Sequence, residues 1–200
     1  MKDLVYYLLK NRLSLPAEDW TMQGFGFLRL RISDRMRLHV WDGRLRQTGV
    51  SDIHDHTQWA FTSNVISGSL VNIRYHLCQP TCDAAQPHMM AVLNCGIGGG
   101  MVQGSSNRVD LLAGKPELYL PGSTYHQEPD EIHRTLPADG TVTLIEQERR
   151  NVDTARVFWP VGGSWGDAIP RQATRDEVSE VGGYALMVFA GQGASMMKAA

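Results

Sequence analysis

Apolar residues along this chain recur mainly at every second position, in short runs cut by Gly and Pro, which is the pattern of half-buried strands. Phe25, Phe27, Arg29 and Arg31 fall on one side of an extended segment and Leu28, Leu30 and Ile32 on the other; Ser33-Asp34 turns it into a second strand, Met36 to Trp41. After the Asp42-Gly43 turn and a polar link come runs from Trp59 to Ile66 and from Ser69 to Leu77. Ser67-Gly68 between them reads as a tight turn joining antiparallel neighbours. Strand signals return at Glu117 to Leu120, at Ile132 to Thr135 and at Thr141 to Glu146, where Thr and Val alternate.

Three stretches depart from this pattern. From Asp3 to Leu13 the residues Leu4, Val5, Leu8 and Leu9 fall near helical spacing, which predicts a short N-terminal helix closed by Ser14-Leu15-Pro16. Between about Cys78 and Gly114, Pro80, Pro87 and several glycines break the alternation, so a mobile loop or an inserted hairpin is expected there. Its Gly96-Ile97-Gly98-Gly99-Gly100 run lacks the Gly-Lys-Ser/Thr and the strand-turn-helix frame of a phosphate cradle. The last stretch, with Phe158-Trp159-Pro160, Gly162-Gly163 and Gly182-Gly183, is expected to be an irregular wrap with one closing apolar segment, Tyr184 to Phe189.

Many short strands joined by Gly and Pro turns predict an all-β sandwich or barrel. The expected organisation is one domain: a helical segment over 1–24, a barrel over 25–148 with an insertion at about 78–114, and a C-terminal wrap over 149–200. A chain of 200 residues, 42% of them hydrophobic, can bury one sizeable core. Its 19 basic and 21 acidic side chains leave a net charge of −2, so no overall field draws it to nucleic acid or to an anionic membrane. Neither a signal-like leader nor a run long enough to span a bilayer stands out, and a cytoplasmic location is expected. Three cysteines, Cys78, Cys82 and Cys95, fit a reducing compartment better than a disulfide framework. Cys78-x3-Cys82 lies near His76 and His88, but this is not one of the strong zinc spacings, and ordinary reduced thiols are the reading preferred.

The chemistry concentrates in Ile53-His54-Asp55-His56-Thr57. In an extended chain, residues two apart project to the same face, so His54 and His56 can present both imidazoles to one point, a ready pair of metal ligands. Taken alone, a His-x-His is as readily a surface feature of an edge strand. A later segment, Pro121-Gly122-Ser123-Thr124-Tyr125-His126 continuing to Ile132-His133-Arg134-Thr135, supplies two further histidines, His126 and His133, either of which can serve as a third ligand. His39 and His76 sit in strand-like runs and read as core or surface histidines, and His88 falls in the irregular stretch.

Together these segments resemble the two signature motifs of the cupin superfamily: His-x-His before a Gly-bounded strand, then a Pro-containing turn leading to a lone His. The resemblance covers roughly Met36 to Glu148 and implies a cupin-type β-barrel, the double-stranded β-helix or jelly roll. Within the superfamily the segments look most like the cysteine dioxygenase and related thiol dioxygenase branch. Many cupins carry a glutamate four or five residues after the second histidine, where this chain has Ala60 and Phe61, so a three-histidine site is implied. By similarity His54, His56 and His133 would hold Fe(II), with Zn, Ni or Mn as chemical alternatives, and O2 and a small thiol or other small anion would be the reactants. Arg29 and Arg31 lie about where that branch keeps its substrate arginine; Arg29 is the candidate for holding a carboxylate, with Arg74 on a later strand.

This chain also departs from the branch. Its Thr143-Leu144-Ile145-Glu146-Gln147 stands where a Ser-x-His-x-Tyr relay is usual, and Phe61 where some members carry a crosslinking cysteine. Tyr125 is then the candidate for a polar catalytic group, with Gln147 behind it, and cysteine itself as substrate is placed in doubt. The competing expectations are a cupin isomerase or hydrolase using a Lewis-acid metal, and a ligand-binding cupin without turnover. The oligomeric state is open, with a homodimer among the options.

Overall fold

The computed structural model describes residues 10–11, 19–47, 51–57, 59–78, 82, 84–94, 106–148, 154–163 and 170–197. The strands in chain order are β1 (Trp20–Gln23), β2 (Phe27–Arg31), β3 (Met36–Trp41), β4 (Ile53–His54), β5 (Phe61–Ser67), β6 (Leu70–Cys78) and β7 (Gln86–Asn94). They continue with β8 (Asn107–Ala113), β9 (Glu117–Tyr119), β10 (Thr124–Gln127), β11 (Ile132–Pro137), β12 (Val142–Gln147), β13 (Thr154–Pro160) and β14 (Arg171–Gln172), before one long helix, α1 (Arg175–Met197). They form two antiparallel seven-stranded sheets, one in the order β10-β5-β12-β3-β2-β1-β14 and the other β11-β4-β13-β7-β8-β6-β9. The protein is thus all-β with a C-terminal helix. Of the predicted N-terminal helix, only Lys10 and Asn11 lie within the described residues, and both are helical.

In the first sheet both faces are buried, against different partners. Leu28, Leu30, Leu38, Val40, Val142 and Leu144 pack with Val178, Val181 and Ala185 of α1, so the helix covers the outer face. The opposite residues of the same strands, Phe27, Arg29, Arg37, His39 and Trp41, line a cavity shared with the second sheet. This explains the mixed alternation of β2: its Leu face is core, and its Phe/Arg face is the inside of the sandwich. A smaller cluster of Phe61, Val65, Leu70, Tyr125 and Ile145 joins the two sheets beside that cavity.

The structure corrects the sequence expectations in three places, at the Ser67-Gly68 turn, in the C-terminal wrap and at residues 20–23. The Ser67-Gly68 turn does not make a hairpin: β5 pairs with β10 and β12, whereas β6 pairs with β8, β9 and β11, so the turn carries the chain from one sheet to the other. Gly68 is required there, because its φ is +73° and an added Cβ would lie 2.3 Å from Thr141 Oγ1. Of the two forms expected for the 78–114 insertion, the structure shows the inserted hairpin, made of β7 and β8 and joined to the second sheet through β13 on one side and β6 on the other. Residues 95–105 of that hairpin, with Cys95, lie outside the described residues.

The C-terminal wrap is also more regular than expected. β13 is a central strand, β14 pairs with β1, and Tyr184 to Phe189 belong to α1. A capping box starts that helix: Glu177 N donates to Thr174 Oγ1 at 3.2 Å, and Thr174 N donates to a Glu177 carboxylate oxygen at 2.8 Å. β1 likewise draws residues 20–23 into the first sheet, away from the N-terminal segment assigned to 1–24. Among the described residues, no helix is long and apolar enough to cross a membrane.

Candidate metal centre

β4 and β11 are antiparallel neighbours, and their register sets His54 directly opposite His133. Cross-strand partners share a face, so both rings point to the same side. Beyond the end of β4 the chain stays close to β13, with Asp55 N donating to Arg156 O at 3.0 Å, and this brings His56 to the same point. The ring centroids of His54 and His133 are 4.5 Å apart, those of His54 and His56 5.1 Å, and those of His56 and His133 5.5 Å. One ligand nitrogen from each of the three lies within 4.8 Å of the others. Such a trio can close around a single ion.

The alternating residues of the same segment fasten it in place. Asp55 is fully buried on the other side of the strand, where it accepts from Arg156 N at 2.8 Å and Arg156 Nε at 2.5 Å. Asp52 accepts from Arg134 Nε at 2.6 Å and pairs with Arg46 at 2.7 Å, so an ion pair joins the segments carrying His54 and His133. Asp130, in the turn before β11, has a φ of +61° and donates its N–H to His56 O at 3.0 Å.

The ring nitrogens fit a bound cation. His54 Nδ1 meets Asp52 O at 3.2 Å and His133 Nδ1 meets Glu131 O at 2.9 Å. A carbonyl only accepts, so each Nδ1 carries the proton and each Nε2 is left as a free lone pair, the tautomer a metal ligand needs. His56 Nδ1 is buried with no hydrogen-bond partner. Burial holds all three imidazoles neutral: His133 is lowered to about 3 by burial and then by His54. His56 falls well below its usual value by burial and then by His54 and His133, and His54 falls by burial against the opposing pull of Asp52 and Asp55. Three neutral imidazoles crowded together, each with one unprotonated nitrogen, suit a divalent ion of the Fe, Zn, Ni or Mn group, and the donor set does not choose among them.

Around the trio lies a cavity of about 110 Å³. Phe25 stacks on His54 at 4.8 Å, and Trp59 lies 3.9 Å from His56, so aromatic faces pack on two of the three rings. Arg29 lines the cavity and its Nε donates to Thr21 Oγ1 at 3.1 Å. Tyr125 also lines it, buried, with its hydroxyl beside Ser63 and Thr135 and its phenol raised by burial. Both residues proposed from the sequence to act beside the metal therefore reach the same space.

The remaining candidates lie elsewhere. His126 sits on β10 with its side chain half exposed, beside Thr62 and Glu128, because Tyr125 and Gln127 take the inward positions of that strand. The third member of the cluster is therefore His133. Arg31 is exposed and pairs with Asp34, and Arg74 pairs with Glu117 and Glu131 outside the cavity. His88 is buried on β7 rather than in an irregular loop, with Nδ1 2.8 Å from Gln86 O. Cys78 and Cys82 are free thiols and join no metal-sized cluster among the described residues. The sequence reading missed Arg37 and His39 as cavity residues, although both share the parity of Trp41 along β3.

The class these features define is an all-β protein with a buried three-histidine cluster suited to one metal ion. No protein-family model matches the chain, and no curated protein matches it.

Proposed function

We propose that the protein is a metal-dependent cupin of the cysteine dioxygenase-like type, a mononuclear non-heme Fe(II) dioxygenase acting on a small thiol or another small anion. The observation that carries this reading is the His54, His56 and His133 cluster, which opens on a cavity also lined by Arg29. Fe(II) held by the three neutral nitrogens of His54, His56 and His133 would supply redox chemistry with O2. Arg29 would orient the substrate, its guanidinium giving a carboxylate two parallel hydrogen bonds. Phe25, Trp59 and Phe61 pack against the rings of His54 and His56 and would keep water from them. Tyr125, held in its protonated form by burial, offers a hydroxyl donor on the same wall.

The choice of iron over Zn, Ni or Mn rests on the motif resemblance. The same cavity loaded with one of those ions would serve as a Lewis-acid isomerase or hydrolase site. The test is elemental analysis of tag-free protein beside a His54→Ala/His56→Ala variant, followed by oxygen uptake with small thiols and small acids. Near-stoichiometric iron that is lost in the variant, with substrate-dependent O2 consumption, is the expected result. A folded protein that binds no divalent metal overturns the reading, and anaerobic turnover with Zn replaces it with the Lewis-acid one.

A further inference from the structure

His39 lies on the inner face of β3, opposite Arg29 of β2 and Thr143 of β12, with Arg37 and Trp41 two residues away on either side. Its ring stacks on Phe27 at 4.4 Å and meets the edge of Trp41 at 5.9 Å, and it lines the cavity. Neighbouring polar groups are satisfied within the protein: Trp41 Nε1 donates to Thr143 Oγ1 at 3.2 Å, and Arg29 Nε and Gln23 Nε2 both donate to Thr21 Oγ1 at 3.1 Å. His39 Nε2, in contrast, is buried with no hydrogen-bond partner. Among the described residues lining the cavity, only His39 and His56 carry such an orphan, and that of His56 belongs to the metal centre.

An unpaired buried imidazole nitrogen disfavours the folded state, whereas Leu in the same place would only add packing. The position is therefore poor for stability and well set for a ligand. The surroundings define which ligand. Two guanidiniums, Arg29 and Arg37, flank the ring on the same face; burial first, and then these two charges, hold the His39 imidazole well below its usual pKa. A neutral ring between two cations provides a directional hydrogen bond where the arginines provide charge.

We propose that His39 is a substrate-contacting, specificity-determining residue: the cavity takes a small carboxylate held by the arginines, and His39 hydrogen-bonds a polar substituent beside that carboxylate. The proposal rests on reading this cavity as the substrate site, but not on iron or on O2.

The test compares binding of propionate and of lactate, which differ by one hydroxyl, to the full chain loaded with redox-inert Zn, by calorimetry. Wild type is expected to bind lactate at least about tenfold more tightly. His39→Leu is expected to abolish that preference while keeping propionate binding, and His39→Gln to restore part of it. Because Nε2 has no partner in the protein, His39→Leu is also expected to melt no lower than wild type without ligand, which a structural histidine would not allow. An unchanged lactate-to-propionate ratio in His39→Leu overturns the proposal, as does failure of both acids to bind wild type. Failure of the oxygenase reading alone would appear instead as absence of iron and of oxygen uptake, neither of which enters the ratio measured on the Zn-loaded chain.

Discussion

Removing the metal should leave a protein that mild acid destabilises, and the size of the effect follows from the buried histidines. In the folded state burial and His54 lower His133 from 6.5 to about 3. Between those two values the unfolded chain takes up a proton at this residue and the folded chain does not. The stabilising contribution is complete above 6.5 and is lost progressively as pH falls toward 3. Across the whole window this amounts to about 5 kcal/mol, and at about pH 5 to about 2 kcal/mol. His54, His56 and His39 are shifted in the same direction, burial being the first cause for each, and so add to the loss. Asp42, Asp52 and Glu177 are lowered from 3.8, 3.8 and 4.5, so their contributions fade only at lower pH and leave the interval above about pH 5 to the histidines. The assay is urea unfolding of chelator-treated protein, followed by tryptophan fluorescence at about pH 7 and about pH 5. A loss of at least about 2 kcal/mol is expected, and His133→Leu should reduce it. Equal unfolding free energies at the two pH values would refute the picture of a neutral, buried cluster.

Three further substitutions test the framework around the site. Asp55→Ala strips Arg156 of its buried partner and should cost about 3–5 kcal/mol by thermal melting, with metal affinity falling about 10–100-fold because the His54–His56 segment loses its anchor. Gly68→Ala forces a side chain into the left-handed region and against Thr141, and should cost at least about 2 kcal/mol in urea unfolding. Arg29→Met should weaken binding of carboxylates about tenfold or more by calorimetry while leaving metal content at the wild-type level.

Much of the local structure was legible in the chain. Period-two alternation marks β2, β3 and β12, because a strand's side chains must alternate between faces wherever it pairs. The same geometry places His54 and His56 on one side before any fold is known. The capping box from Thr174 to Glu177 and the apolar spacing of Val178, Val181 and Ala185 are a helix signal that the reading of this stretch, guided by Gly182-Gly183, missed. α1 tolerates those glycines because its stability comes from packing on the first sheet.

What the sequence alone determined is therefore the strand character of β2, β3, β5, β6, β9, β11 and β12, the all-β class and the His-x-His pair. Which strand lies beside which was decided only in three dimensions, since backbone hydrogen bonds carry no side-chain identity and any strand edge can pair with another. That is why Ser67-Gly68 reads as a hairpin but crosses between sheets. The third histidine was settled in the same way: the inward packing of Tyr125 sends His126 out, while the β4–β11 register brings His133 to His54. Arg37 and His39 became cavity residues for a related reason, because α1 covers the other face of β3 and leaves their side as the interior.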